Sequence, residues 1–269
     1  MSRIESYPAD GWRGWLPGGM RPYVEAQPLA AFFLGISSGF PYALIGATLT
    51  TRLAQDGISK SAVTAFALTF LAYNFKFLWA PLVDNVKLPF IGRFGQRRSW
   101  LWLTSLLVII AVTFLGLVNP NNALSTVAFA AVTLGVLGAT LDIIIDAYRI
   151  ELLEPHQLGT GSGMSQYGWR IGAASAGALA LIVSSRLGWS VAYISCGVFA
   201  LPAILVGVFM GEPKRNFEPI VSRGIIQALL DYFSPLVEFI KRQGAWLVLV
   251  FVLIHKIGDT LANLTLRLL

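Results

Sequence analysis

The sequence predicts an all-α, polytopic membrane helical bundle, on three observations. Of the 269 residues, 55% are hydrophobic and 13% charged, whereas about 25% are charged in an ordinary soluble domain. The mean hydropathy is +0.67. The apolar residues also run in long uncharged stretches: Pro28–Thr51, Trp100–Val118, Ala123–Leu141, Ile171–Ser185 and Gly188–Gly211. A helix needs roughly 20 mostly apolar residues to cross a bilayer, and these runs lack the polar stripe that a helix of a soluble bundle carries.

The elements follow in order. Residues 1–27 hold Arg3, Arg13 and Arg21 but no apolar core ahead of a cleavage site, so they read as a cytoplasmic N-terminal segment rather than a signal peptide. Helices are expected at about 28–51, 60–83, 99–118, 123–148, 161–185 and 188–210, a six-helix bundle over 28–210. Asn119-Pro120-Asn121-Asn122 and the stretch Ser184 to Trp189 are tight turns that make their neighbours antiparallel hairpins. Residues 211–243 are mixed in charge and read as a cytoplasmic linker with an amphipathic helix over Ile225 to Ile240. A seventh helix is expected at 244–267, within a last segment 244–269.

Lys and Arg set the orientation. With the N-terminus inside, 13 of the 20 fall in inner segments and 4 in outer ones. The net charge of +6 therefore follows membrane topology and does not point to nucleic acid. The expected topology is multi-pass with a cytoplasmic N-terminus, and the lipid bilayer is the first partner. The single cysteine, Cys196, excludes an internal disulfide.

Seven ionisable residues stand inside or at the ends of apolar spans: Lys76, Asp142, Asp146, Arg149, Arg170, Lys256 and Asp259. Each costs roughly 2.5–3.5 kcal/mol at bilayer depth on insertion scales, so such groups face partners or a cavity. At about 100° per residue, Asp142, Asp146 and Arg149 share one helix face. Asp146 and Arg149 can pair, which leaves Asp142 for a cation on another helix, with Lys76 and Arg170 as candidates. Gln166 and Arg170 are four apart with Tyr167 beside them, and Lys256, Asp259 and Asn263 line another face. Such residues serve either as ion pairs locking the bundle or as a water-filled path. Charge on four helices favours the path for Lys76, Asp142 and Arg170. Two aspartates one turn apart disfavour ionising both, so one holds a proton more readily than a free aspartate. Asp142 is the expected carrier, since Arg149 keeps Asp146 ionised.

Small residues at four-residue spacing let helices approach closely: Gly35 with Gly39, Gly168 with Gly172, Ala173 with Gly177. "GISSGFP" (Gly35 to Pro41) is expected to loosen the first helix and turn carbonyls toward a cavity. "GTGSG" (Gly159 to Gly163) follows a helix rather than a strand, so a nucleotide loop is rejected. Nothing in the sequence reads as a catalyst, a metal site or a cofactor site: there is no metal-ligand cluster, and His156 and His255 stand far apart.

Between the second and third helices stands "WAPLVDNVKLPFIGRFGQRRSW" (Trp79 to Trp100). It resembles the signature loop of the major facilitator superfamily in Asp84, Gly95, Arg97 and Arg98, with a longer insertion before the basic cluster. Together with "FLGISSGFPYAL", "KFLWAPLVD", "DIIIDAYRIELL" and "HKIGDTL", it resembles the AmpG-type muropeptide permeases, related to acetyl-CoA transporters. The resemblance implies the N-terminal six-helix half of a major-facilitator-type fold plus a seventh helix that starts a missing second half, a chain not expected to transport alone. It also implies proton-coupled import of anhydro-muropeptides from cell-wall recycling. Lys76, Arg170 and Lys256 then suit an anionic solute, and Tyr73, Trp79 and Tyr167 the faces of sugar rings, with Gln166 and Asp259 beside them. Asp84 with Arg93, Arg97 and Arg98 is expected to form a cytoplasmic latch. Two rivals stand beside this reading: a permease for another anionic solute such as acetyl-CoA, and a non-transporting half-transporter or partner subunit.

Overall fold

The structure, a computed structural model, describes Trp15, residues 17–214 and residues 238–268, without the side chains at 67, 85, 255, 256 and 259–268. Two compact units divide the chain, Met1–Asn216 and Phe217–Leu269. The first holds α1 (Ala26–Gln55), α2 (Lys60–Leu78), α3 (Ala80–Asn85), α4 (Gln96–Leu117), α5 (Leu124–Leu152), α6 (Leu158–Cys196) and α7 (Leu201–Met210). The second holds α8 (Ala245–Leu268). Of the expected amphipathic helix over 225–240, only 238–240 falls among the described residues, and these are helical.

Among the described residues, five helical stretches are long and apolar enough to cross a membrane, and the last of them, Pro155–Met210, runs for 56 residues. As one straight helix it would reach about 84 Å, far beyond a hydrocarbon core of about 30 Å. It does not run straight. Gly188 has φ 82° and ψ 166°, a conformation open to glycine and strained for other residues. Beyond it, Trp189 Nε1 donates to Gln55 Oε1 at 3.2 Å and Ser190 Oγ to the carbonyl of Gly116 at 2.9 Å. The Gln55 end of α1, the Leu117 end of α4 and the middle of the long stretch therefore lie together. A single glycine makes the reversal that the sequence assigned to Ser184–Trp189.

The expected helix over 60–83 differs most. Lys60–Leu78 alternates α-helical and 3-10 turns before α3 begins. Its side chains explain this: Leu68, Leu71, Phe75, Phe77 and Leu78 are all exposed, so little packing holds the segment to regular geometry. Between α4 and α5 the polar turn is as expected, with the Asn119 side chain accepting from the Asn121 amide at 3.0 Å.

Inside a bilayer, lipid tails are as apolar as leucine, so helices associate through close packing and hydrogen bonds. α1 lies along α6 by this means. A Cβ on Gly39 would stand 2.1 Å from the Trp169 carbonyl oxygen, and one on Gly168 2.0 Å from that of Phe32. The GISSGFP stretch is thus buried helix rather than an opened turn. The helix loosens later, where Gly46 (φ −89°, ψ −113°) lies in a π-helical turn, Leu44–Thr48, with the Phe70 ring packed on it. Ser37 Oγ accepts from the Ala203 amide at 3.0 Å and donates to the Phe199 carbonyl at 2.8 Å. That hydroxyl enters the place of an i→i−4 bond where α7 begins.

At the Gln55 end, Arg52 is a residue the charge count assigned to an outer loop. It is 3% exposed, and its guanidinium donates to the carbonyls of Leu115 at 2.8 Å and Val118 at 2.6 Å. It also stands 5.4 Å from the Tyr193 ring centre. One cation satisfies carbonyls that the last turn of α4 leaves without partners.

Substituting Gly168 by valine drives a side chain into the Phe32 backbone and is expected to cost about 1–3 kcal/mol or more. Gly163→Ala, with nothing within 4 Å, is expected to leave stability level or slightly raised. Thermal melting of the detergent-purified variants reads both. Equal melting of the two variants would contradict this packing.

Candidate functional site: a shared lysine within the bundle

α5 projects three charged residues toward α1, α2 and α6. Asp142 accepts hydrogen bonds from Ser38 Oγ of α1 and from Lys76 Nζ of α2. The same ammonium lies 3.6 Å from Asp146 Oδ2. Asp146 in turn pairs with Arg149 Nη2 at 3.1 Å, and Arg149 Nη1 donates to Ser162 Oγ of α6 at 3.1 Å. Helical spacing explains the grouping, since 142, 146 and 149 fall on one face of α5. Lys76 reaches that face because α2 packs beside α5 with Trp79 Nε1 bonded to Thr140 Oγ1 at 3.1 Å. The cluster holds two carboxylates and two cations, so it is balanced in charge. Asp146 is its most open member, with 45% of its side chain exposed against 20% for Asp142 and 14% for Arg149.

The structure selects Lys76, not Arg170, as the partner of Asp142. Arg170, Gln166 and Tyr167 lie together on an exposed face of α6, and Arg170 makes no ion pair among the described residues. Tyr73 and Trp79 are turned into the bundle. Tyr73 packs edge-on against Tyr42, with ring centres 5.3 Å apart, and Trp79 is partly buried against the core. The side chains of Lys256 and Asp259 lie outside the described residues. Among the described residues, no group of three or more His, Cys, Asp or Glu is placed to hold a metal ion.

At the Ala26 end the latch forms around one arginine. Arg97 Nη1 is 2.5 Å from Asp84 Oδ1, and Nη2 and Nε reach Glu151 at 2.8 and 3.1 Å. Arg97 and Glu151 are both buried, at 8% and 7%. The guanidinium of Arg98 stacks over the Trp102 ring at 4.2 Å. Arg93 likewise lies over Phe94 at 4.9 Å. A planar guanidinium on an aromatic face loses less hydration than one buried against a carboxylate. Glu212, just past the end of α7, joins the same helix end. Its carboxylate accepts from the backbone amides of Arg97 at 3.0 Å and Arg98 at 2.8 Å, where α4 presents free N–H groups and the positive end of its dipole.

Three residues of these networks escaped the sequence reading: Ser38, Glu151 and Glu212. Only Glu151 carried a signal, two residues beyond Arg149 on a helix already marked by charge. The others depend on which helices pack together. Arg97→Lys keeps the charge but loses the two-sided fork, and is expected to cost about 1–3 kcal/mol. Arg98→Lys is expected to cost under about 1 kcal/mol. Adding Arg98→Lys to Arg97→Lys should therefore change thermal stability little, and a large additional loss in the double variant would contradict the assignment.

Comparison with known proteins agrees with an all-α membrane bundle. The family model of the Major Facilitator Superfamily matches residues 30–263. The anhydromuropeptide permease of Escherichia coli (strain K12) is 32% identical over 244 residues, covering 90% of this chain and 48% of that protein. AmpG 4 of Rickettsia felis is 33% identical over 232 residues, covering 86% of this chain and 56% of its own. An uncharacterized protein of Haemophilus influenzae is 32% identical over 239 residues, 87% of this chain and 55% of its own. The chain thus spans about half the length of the curated relatives it matches. No solved structure matches it. With its apolar helices, its buried charge cluster and the Asp84–Arg97 loop, the chain belongs to the Major Facilitator Superfamily of membrane transporters and is related within it to the anhydromuropeptide permeases.

Proposed function

We propose that this chain supplies the N-terminal bundle of a proton-coupled permease that imports anhydro-muropeptides across the inner membrane, with its N-terminus in the cytoplasm. The observation that carries the reading is Lys76 held between Asp142 and Asp146 on apolar helices. A structural pair needs one carboxylate for one ammonium. A second carboxylate gives the ammonium an alternative partner, and gives a proton a place to bind without stranding the lysine.

The charge balance supplies the coupling. A proton on Asp142 removes one negative charge and frees Lys76 from its closest partner. A carboxylate of the solute can then take that place, so proton and anion enter together with no net change in buried charge. Either alone would leave an unpaired charge in a poorly solvated site, which is costly. Arg170, Gln166 and Tyr167 on the exposed face of α6 extend the same wall. The Arg97 latch holds α3, α4 and α5 in one arrangement while the cluster is charged. In the repeated architecture of such transporters a six-helix bundle is one half and solute sits between halves, so this reading assigns the opposite wall of the site to a second bundle.

The test uses proteoliposomes with an imposed proton gradient. The 269-residue protein alone is expected not to accumulate labelled anhydro-muropeptide. Joined to the part of the E. coli permease that the match does not reach, it is expected to do so. In that chimaera Asp142→Asn should insert and fold but lose gradient-driven accumulation by at least about tenfold, the factor set by some 1.4 kcal/mol of lost coupling. Asp146→Asn should instead lower stability, because Arg149 keeps only Ser162. Normal accumulation by Asp142→Asn would refute the coupling role. Accumulation of acetyl-CoA in preference to anhydro-muropeptide would refute the solute.

A further inference from the structure

The hydroxyl of Tyr73 is buried and has no hydrogen-bond partner. Most buried hydroxyls have a partner, and leaving one without costs about 1–3 kcal/mol. Its surroundings are not generic core. Tyr73 lies three residues before Lys76 on α2, and its oxygen stands 2.4 Å from where a Cβ on Gly138 would be. Gly138 lies one turn before Asp142 on α5. The absent side chain at 138 thus leaves the oxygen room against α5, and helical side chains lean toward the N-terminus, which inclines the Asp142 carboxylate to that turn. The titratable groups of the neighbouring elements are Tyr42 of α1, whose ring packs edge-on against Tyr73, Lys76 three residues on, and Asp142 with Asp146 on α5. In the charged cluster, Ser38 and Lys76 already occupy Asp142.

We infer that Tyr73 is a positioning residue for the proton: its oxygen accepts the hydrogen of the protonated Asp142 carboxyl once Lys76 has left. The inference rests on the coupling role proposed for Asp142 and adds what holds the proton there. A carboxylic acid has an O–H that a carboxylate lacks, and in a buried site that donor needs an acceptor. A tyrosine hydroxyl can accept as well as donate. Its lack of a partner beside the ion pair is then a cost of the charged state, recovered in the protonated one. The balance is simple: the proton comes from the aqueous phase, bonds to one oxygen of Asp142, and leaves by the same bond. Tyr73 itself neither gains nor loses a proton.

The test is infrared titration of the reconstituted 269-residue protein, reading the C=O stretch of the protonated carboxyl, with Tyr73→Phe and Asp142→Asn as variants. Tyr73→Phe removes the acceptor of the protonated form only. Its titration midpoint is therefore expected to fall by about one pH unit, the size of one hydrogen bond. The band should move to higher frequency, and thermal stability at neutral pH should stay level or rise. An unchanged midpoint would overturn the inference. So would a rise, which would mean that the hydroxyl donates to the carboxylate, or a fall in stability alone, which would make Tyr73 a packing residue. Asp142→Asn is expected to abolish the band. Its persistence would instead refute Asp142 as the proton site, whatever Tyr73→Phe does.

Discussion

A lysine ammonium in a bilayer must be held by protein, since water cannot reach it at will. Lys76 is held by two carboxylates one helical turn apart, and much of the first unit is arranged to keep them there. Arg149 neutralises the second carboxylate and ties α5 to α6 through Ser162. Ser38 ties the first to α1. Four helices thereby converge on one charge-balanced cluster. Removing any one charge leaves another without compensation, which makes the cluster both cohesive and responsive to a single proton.

Cohesion elsewhere comes from different chemistry at each level of the bundle. At the Gln55 end a buried arginine collects the carbonyls that α4 cannot satisfy. At the Ala26 end another arginine bridges two carboxylates, and Glu212 caps the amides of the same helix. Between the ends, α1 and α6 meet backbone to backbone through glycines. Both ends of α4 are thus held by opposite charge, as its dipole requires. α2 has no such fixtures along its exposed side. It is also the element that departs most from regular helix, although it carries Lys76 and Tyr73.

The adjacent serines of GISSGFP show how close packing turns composition into position. Consecutive residues on a helix point about 100° apart. With α1 pressed onto α6 by its glycines, Ser37 is directed to the irregular start of α7 and Ser38 to Asp142. The same two hydroxyls on a loosely packed helix would bond to their own backbone. Here one repairs an interrupted helix and the other orients the carboxylate.

The membrane class, most of the helices and the face shared by Asp142, Asp146 and Arg149 were legible in the sequence. They depend on periodicity and hydropathy, which are local properties of the chain. So was Asp84 with an arginine of the basic cluster, because the loop motif keeps them within one short connection. The choice of Lys76 over Arg170, of Arg97 over Arg98, and the parts played by Ser38, Arg52 and Glu212 were not. Each depends on which helix lies beside which, at a separation decided by residues with no charge at all. The sequence by itself determined that charges lie within apolar helices and must find partners. Only the tertiary structure decided which partners, because an ion pair exists at a few ångströms and glycine contacts far along the chain set those distances.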